Sequence, residues 1–223
     1  MLKFSIQFLL LPFPWVVRRW ILVSVLGFKL DPRSRIGLTI IFADEIEMAE
    51  GAFLGHFNYI GKLDLLKMDA DTFIGNFNWI PGLSQRLNSP FFRKKTNRRS
   101  ELIMGKCSMI AHQNFIDCTD RIELGPFSGI AGARSQLLTH GIEPISSRQT
   151  CSPISIGAFT MVGSGTLITK GVRIPDRCIV SAGSVVQHVN APEYSLLAGN
   201  PAVAIRQIPE TAKFFQRTGS IIY

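Results

Sequence analysis

Hydrophobic residues recur at every sixth position over most of this 223-residue chain. A six-residue step fits neither the 3.6-residue period of an amphipathic helix nor the two-residue period of an ordinary strand. We call the residues on this step anchors. They are Ile36, Phe42, Met48, Leu54, Ile60 and Leu66 in a first run, Ile110, Ile116, Ile122, Leu124 and Ile130 in the middle, and Ile156, Val162, Ile168, Ile174, Val180 and Val186 in a last run.

Small residues follow the anchors at a fixed distance. Four positions after each anchor of the last run come Thr160, Thr166, Val172, Cys178, Ser184 and Asn190, and glycine often follows an anchor directly. The pattern predicts a solenoid in which each hexad supplies a short strand and a turn, and three hexads make one triangular coil. Anchors then stack inside, because no single coil can bury its own, and small residues occupy the corners.

Two interruptions divide the repeat. We expect an apolar, helical N-terminal segment over 1–35, the solenoid over 36–191 and a C-terminal extension over 192–223, with a short helix near 209–217. Loops leave the solenoid at about 81–101, which is basic, and at 141–153, which is rich in Gly, Pro and Ser. Long loops on a regular scaffold commonly carry function.

The charge and composition of the chain limit the kinds of partner that we expect it to bind. The net charge of +8 favours an anionic partner, with Arg93 and Lys94 among a basic cluster in the first loop. No nucleic-acid motif accompanies these charges, so we expect no nucleic acid. The uncharged runs 4–17 and 20–28 are too short to cross a bilayer, but flank Arg18 and Arg19 as in an interfacial helix. We therefore expect a cytoplasmic protein that contacts the anionic inner face of the cytoplasmic membrane peripherally.

The repeat, with the segments Ile179-Val-Ser-Ala-Gly-Ser-Val-Val186 and Ala198-Gly-Asn-Pro-Ala-Val-Ala-Ile205, resembles the hexapeptide-repeat acyltransferases, above all polysaccharide, colanic acid, galactoside and maltose O-acetyltransferases. This resemblance implies an all-β, left-handed parallel β-helix that forms a homotrimer. It also implies acetyl transfer from acetyl-CoA to a hydroxyl of a sugar or lipid-linked saccharide. The chain departs from the family at Met161, where a tryptophan is common, and at Val203, where a lysine is common.

Transfer to a hydroxyl requires a base, and histidine titrates in the right range. His140 stands at the mouth of the second loop, where the family has its catalytic histidine by resemblance. We expect Glu143 to orient its ring and His112 and Asn114 to contact the acceptor. No nucleophilic Ser or Cys constellation is evident, so direct transfer is expected.

Small and cationic residues near the C-terminal end suit the donor. Gly163, Ser164 and Gly165 leave room for a pantetheine arm, and Lys170 and Arg206 suit phosphates. The resembling segments add Ala182 and Gly199 to the expected coenzyme A contacts, and we expect the C-terminal extension to close this site. No metal is expected.

Three other functions remain open at this point. A β-helix carbonic anhydrase requires a set of zinc histidines with two of them close in sequence, and the four histidines here lack that spacing. A non-catalytic β-helix scaffold is the second alternative. An acyltransferase that uses a longer acyl chain is the third.

Overall fold

The computed structural model describes residues 2–220 except 88, 93, 94 and 96, so Arg93 and Lys94 of the basic loop, Met1 and residues 221–223 lie outside the described residues. Parallel strands wind into coils with three faces. The first face contains Arg35–Ile36, Phe53–Leu54, Phe73–Ile74, Met109–Ile110, Gly129–Ile130, Met161–Val162, Ile179–Val180 and Ser195–Gly199. The second contains Trp79–Pro81, Phe115–Asp117, Gln136–Leu138, Leu167–Thr169 and Val185–Val186, and the third Lys29–Leu30, Glu101–Met104, Ile122–Leu124, Ile154–Ile156 and Arg173–Ile174. Two long strands, Ile40–Met48 and Tyr59–Met68, turn the corner from the second face to the third.

The predicted anchors are all buried in the core, with one exception. Ile60, Ile116 and Ile168 are fully buried and stack along the second face. Phe42 was expected as an anchor but is 36% exposed, while Ile41 is 2% exposed. The register of this strand shifts between Ile41 and Ala43. A one-residue shift exchanges the inward and outward positions of a strand, so the six-residue step failed there.

The corner between the first and second faces is held by a ladder of buried polar side chains. The side-chain oxygen of Asn58 accepts the Asn78 N–H at 2.8 Å, and Asn78 does the same for Asn114 at 2.9 Å. Asn114 in turn accepts the Ser135 N–H at 2.9 Å. Each buried backbone donor at this corner therefore finds a partner in the previous coil.

Both predicted loops leave the corner between the second and third faces, two coils apart. The first contains the 3₁₀ turns Gln85–Leu87 and Pro90–Phe92. The second was expected as an irregular loop, but it is an antiparallel hairpin of His140–Glu143 with Arg148–Cys151. Backbone pairing of His140 with Cys151 begins the hairpin at the edge of the solenoid.

The N-terminal segment forms two helices, Leu2–Leu10 and Trp15–Ser24, and the solenoid already begins at the strand Lys29–Leu30. Leu22 and Leu26 pack into the core. Arg18 donates to the Gly37 carbonyl at 2.6 Å and Arg19 to the Leu30 carbonyl at 2.8 Å. Both guanidinium groups therefore bind backbone carbonyls of the solenoid, and the contact with an anionic membrane stays a prediction. No helix in the described part of the chain has the length and apolar character that a bilayer crossing needs.

The C-terminal extension continues the first face before it leaves the solenoid. Ser195–Gly199 pairs with Ile179–Val180 and then, antiparallel, with Ala202–Gln207. The solenoid thus extends past the predicted boundary at 191. The helix expected near 209–217 is a single 3₁₀ turn, Lys213–Gln216.

Candidate functional site

His140 is paired with a buried aspartate from the previous coil. Its Nδ1 lies 2.6 Å from Oδ2 of Asp117, and the imidazole is 44% exposed while Asp117 is 2% exposed. In the second face Asp117 stands beside Leu138, two residues before His140. The coil-to-coil register therefore places the carboxylate under the ring.

The Asp117 carboxylate is held by a complete set of donors. Oδ1 accepts the Thr119 N–H at 3.0 Å and the Thr119 hydroxyl at 2.7 Å. Oδ2 accepts the N–H groups of Thr139 at 3.0 Å and His140 at 3.2 Å. Burial by itself raises the pKa of Asp117, but the hydrogen bonds from His140 and Thr119 outweigh it and lower the pKa below its usual value. The Asp117 carboxylate is thus ionised, and its hydrogen bonds hold it in one orientation.

Asp117 influences both the pKa and the tautomer of His140. Its hydrogen bond raises the pKa of His140 above the usual value, against the opposing effects of partial burial and of Lys170. An Nδ1–H that donates to a carboxylate leaves the lone pair on Nε2. No described residue forms a hydrogen bond with Nε2, so this nitrogen is available to a substrate. The arrangement is that of an oriented general base.

Asp117 was missed by the sequence prediction, which gave the orienting role to Glu143. That prediction is wrong, because Glu143 Oε1 accepts the backbone N–H of Ile145 within the hairpin at 3.1 Å and Asp117 occupies Nδ1. The available signal was an aspartate directly after the anchor Ile116, in the coil before His140.

The expected acceptor residues lie elsewhere. Asn114 is buried in the corner ladder, so its predicted contact with the acceptor is wrong. His112 is exposed at the same corner, where its Nδ1 accepts the Asn76 N–H at 2.9 Å. The second face separates both from His140, so within one chain neither contacts the His140 ring.

The expected donor residues fall into three groups. Lys170 is close to His140, since its Nζ donates to the Thr150 hydroxyl in the hairpin. The small residues lie instead at the corner between the first and second faces, namely Gly163, Ser164, Gly165 and Ala182. Gly199 and Arg206 lie farther on, in the C-terminal strand pair.

The structure gives a different reason for glycine at each of two of these positions, 163 and 165. A Cβ on Gly163 would lie 2.6 Å from the Ala182 nitrogen, so only glycine allows this close approach of coils. Gly165 has φ +67°, and a Cβ there would meet nothing within 4 Å. Glycine at position 165 is therefore explained by the left-handed backbone conformation and not by close packing.

The basic loop packs against the histidine. The Phe92 ring meets the His140 ring edge-on, with centroids 6.5 Å apart. Arg98 lies over the other side of Phe92 and donates to the carbonyl oxygens of Leu83 and, at 2.7 Å, Thr119. Arg98 thus serves as a clamp that fixes the loop beside His140, and its charge is not free for an anionic partner.

A nucleophilic cysteine does not fit this site. Cys151 is the cysteine paired with His140 in the hairpin, and burial together with nearby Asp120 raises the pKa of its thiol to about 12. It therefore stays protonated at neutral pH. The described residues contain no group of three His, Cys, Asp or Glu side chains placed to hold a metal ion.

Solved structures of acetyltransferases and acyltransferases share this architecture. The polysialic acid O-acetyltransferase OatWY superposes with a TM-score of 0.60 over 84% of this chain and 90% of its own, at 13% identity. The chain has the fold of the hexapeptide-repeat acetyltransferases. AntD, an N-acyltransferase from Bacillus cereus solved with dTDP and 3-hydroxybutyryl-CoA, shares the fold with a TM-score of 0.54 over 87% of this chain and 90% of its own, at 14% identity. The fold prediction, a left-handed parallel β-helix, is confirmed.

Sequence relatives point to the same group over shorter stretches. The chain is 33% identical over 82 residues to "Putative acetyltransferase YvoF" of Bacillus subtilis, which covers 37% of this chain and 45% of YvoF. It is 41% identical over 58 residues to "Putative acetyltransferase YJL218W" of Saccharomyces cerevisiae, which covers 26% of this chain and 29% of that protein. The chain thus spans less than half the length of these curated relatives, and no protein-family model matches it.

Proposed function

We propose that this protein transfers an acetyl group from acetyl-CoA to a hydroxyl of a sugar or lipid-linked saccharide, with His140 as general base. The observation that carries the proposal is the 2.6 Å bond between His140 and Asp117 beside an open pocket. The fold shared with OatWY and the acetyltransferase names of the sequence relatives support the donor class.

In the proposed reaction His140 first accepts a proton and then donates it again. Nε2 takes the proton of the acceptor hydroxyl as its oxygen attacks the thioester carbonyl carbon. The carbon–sulfur bond then breaks, and Nε2 returns the proton to the departing sulfur. Asp117 stabilises the imidazolium between these two steps and keeps the ring oriented. Acetyl-CoA supplies the activated acyl group, and no acyl-enzyme is formed.

The test of the catalytic role is a matched pair of histidine substitutions. His140→Ala removes the base and is expected to lower the transfer rate by about 10²- to 10⁴-fold. His56→Ala is the control, since His56 lies at the corner between the first and second faces and its Nδ1 only accepts the Leu38 N–H. The assay is coenzyme A thiol release with a panel of sugars, with and without an acceptor.

The outcomes separate the alternatives. Equal rates for His140→Ala and wild type would contradict the general base. An inert wild type that binds a partner protein would favour a non-catalytic scaffold. Turnover only with longer acyl donors would favour an acyltransferase that uses a longer acyl chain.

We also propose a homotrimer with the donor between adjacent chains. The separation of Gly165 and Ala182 from His140 within one chain supports a site completed by a neighbour. Tyr59, Trp79 and Phe115 form an exposed aromatic column on the outside of the second face, and Trp79 is 57% exposed. Exposed apolar columns of this kind commonly mark an interface.

The trimer predicts the effect of a charge in that column. Trp79→Arg should shift the particle from three chains to one and reduce transfer. Trp20→Arg is the matched control on the second helix, where Trp20 is also exposed, and it should leave the mass unchanged. Sedimentation velocity measures the mass, and a wild-type monomer or an unshifted Trp79→Arg would contradict the proposal.

We propose that the protein touches the membrane interface through apolar burial. Val16, Val17 and Trp20 are exposed on the second helix, with Val16 at 77%, and Phe13 is exposed in the turn before it. Arg18 and Arg19 form hydrogen bonds with the solenoid. An interfacial helix can bind in this way without anionic lipid.

Vesicle flotation tests this membrane proposal. The wild type should bind equally to pure phosphatidylcholine vesicles and to vesicles that also contain phosphatidylserine. Val16→Arg should reduce flotation several-fold, whereas Val203→Arg, on the exposed C-terminal strand, should not. Binding that needs phosphatidylserine and disappears with salt would contradict the proposal.

A further inference from the structure

An open pocket of about 590 Å³ lies between the extruded loop and the hairpin. Phe91, Phe92 and Lys95 line it from the loop, and Arg148, Thr150 and Cys151 line it from the second hairpin strand. This volume is within the range of pockets that bind small molecules.

The pocket adjoins the catalytic ring. Cys151 is the backbone partner of His140, and Phe92 contacts the His140 ring with its own ring edge-on. A molecule in the pocket therefore lies against two residues, Phe92 and Cys151, that are themselves neighbours of His140.

The walls combine an apolar surface with positive charge. Phe91 is 59% exposed and Phe92 closes the inner side. Arg148 is exposed, and it makes no ion pair with a described residue although Glu143 is its backbone partner across the hairpin. No acidic side chain of the described residues lines the pocket. Lys95 lies 3.8 Å from Asp120 and donates to the Cys151 carbonyl, so Asp120 offsets part of its charge. Arg148 is therefore the pocket cation that has no ion-pair partner among the described residues.

We propose that this pocket is the acceptor subsite and that its ligand is a saccharide unit bearing an anionic group, a carboxylate or a phosphate. The inference rests on the proposed function and adds the substrate class to it. Arg148 holds the anion by charge-assisted hydrogen bonds, and Phe91 packs on an apolar face of the sugar ring. The anion then fixes which hydroxyl reaches Nε2 of His140.

The experiment compares acceptors that differ only in charge. Hexuronates of gluco, galacto and manno configuration are paired with their methyl esters, and hexose 6-phosphates form a second arm that distinguishes phosphate from carboxylate. Thiol release gives kcat and KM for acceptor and for acetyl-CoA. Isothermal calorimetry measures binding of the same sugars without acetyl-CoA, so the pocket is tested even if transfer does not occur.

The variants isolate the charge of Arg148. Arg148→Gln should lower kcat/KM for anionic acceptors about ten- to a hundredfold, since a hydrogen bond to a charged group contributes about 1.5–3 kcal/mol. Arg148→Lys should recover part of the loss, because it keeps a point charge without the planar fork. Arg35→Gln, an equal loss of charge on the first face near the other end of the solenoid, is the control and should change nothing.

Each outcome has one meaning. Preference for acids over esters, lost in Arg148→Gln with KM for acetyl-CoA unchanged, supports the proposal. Equal use or equal binding of esters and acids overturns it. So does a rise of KM for acetyl-CoA alone, which would assign the pocket to coenzyme A phosphates. Absence of transfer with every acceptor contradicts the proposed function, whereas calorimetric binding of acids that depends on Arg148 would still support the subsite.

Discussion

The hydrogen bond between Asp117 and His140 depends on the register of two neighbouring coils. In the second face Phe115 pairs with Gln136, Ile116 with Leu137 and Asp117 with Leu138. The buried side chains of Ile116 and Leu137 hold this register, because a slip by one residue would expose both. Packing in the core therefore fixes the distance between a carboxylate and an imidazole on its surface.

The same corner explains why both long loops contribute to one site. The first loop leaves the coil before Asp117 and the hairpin leaves the coil after it, so only the short segment from Asp117 to Asp120 lies between them. Arg98 binds the first loop to this segment through the Thr119 carbonyl. Lys95 then reaches the hairpin at the Cys151 carbonyl. Two insertions that are far apart in sequence thereby close around a single histidine.

The fold followed from the sequence because stacking depends on local repetition. Each anchor is identified by its own hexad, so the period was enough to place its side chain in the core, apart from Phe42. Core residues outside the predicted runs, such as Ile80 and Leu137, were missed. His140 was proposed from its place at the mouth of a loop together with the family resemblance, which puts a histidine there. Its partner was not, because contacts between coils depend on the number of residues in each turn and loop. Asp117 and His140 are 23 residues apart, a separation that no sequence motif states.

Asn114 shows the converse error. Its spacing and polarity resembled those of a substrate contact, yet the corner uses the same side chain to satisfy a backbone N–H of the next coil. A buried ladder and an exposed binding residue can have the same sequence signature. Only the direction of the side chain separates them, and that direction is set by tertiary packing.

The most direct test of this account is the pKa of His140 measured by NMR in wild type, in Asp117→Asn and in the control Asp71→Asn, whose carboxylate lies at a different corner. The pKa of wild-type His140 should lie above the usual histidine value of about 6.5. It should fall in Asp117→Asn, because the anion that favours the imidazolium is lost, and stay unchanged in Asp71→Asn. A pKa of His140 that is the same in all three proteins would contradict the claim that Asp117 controls this histidine.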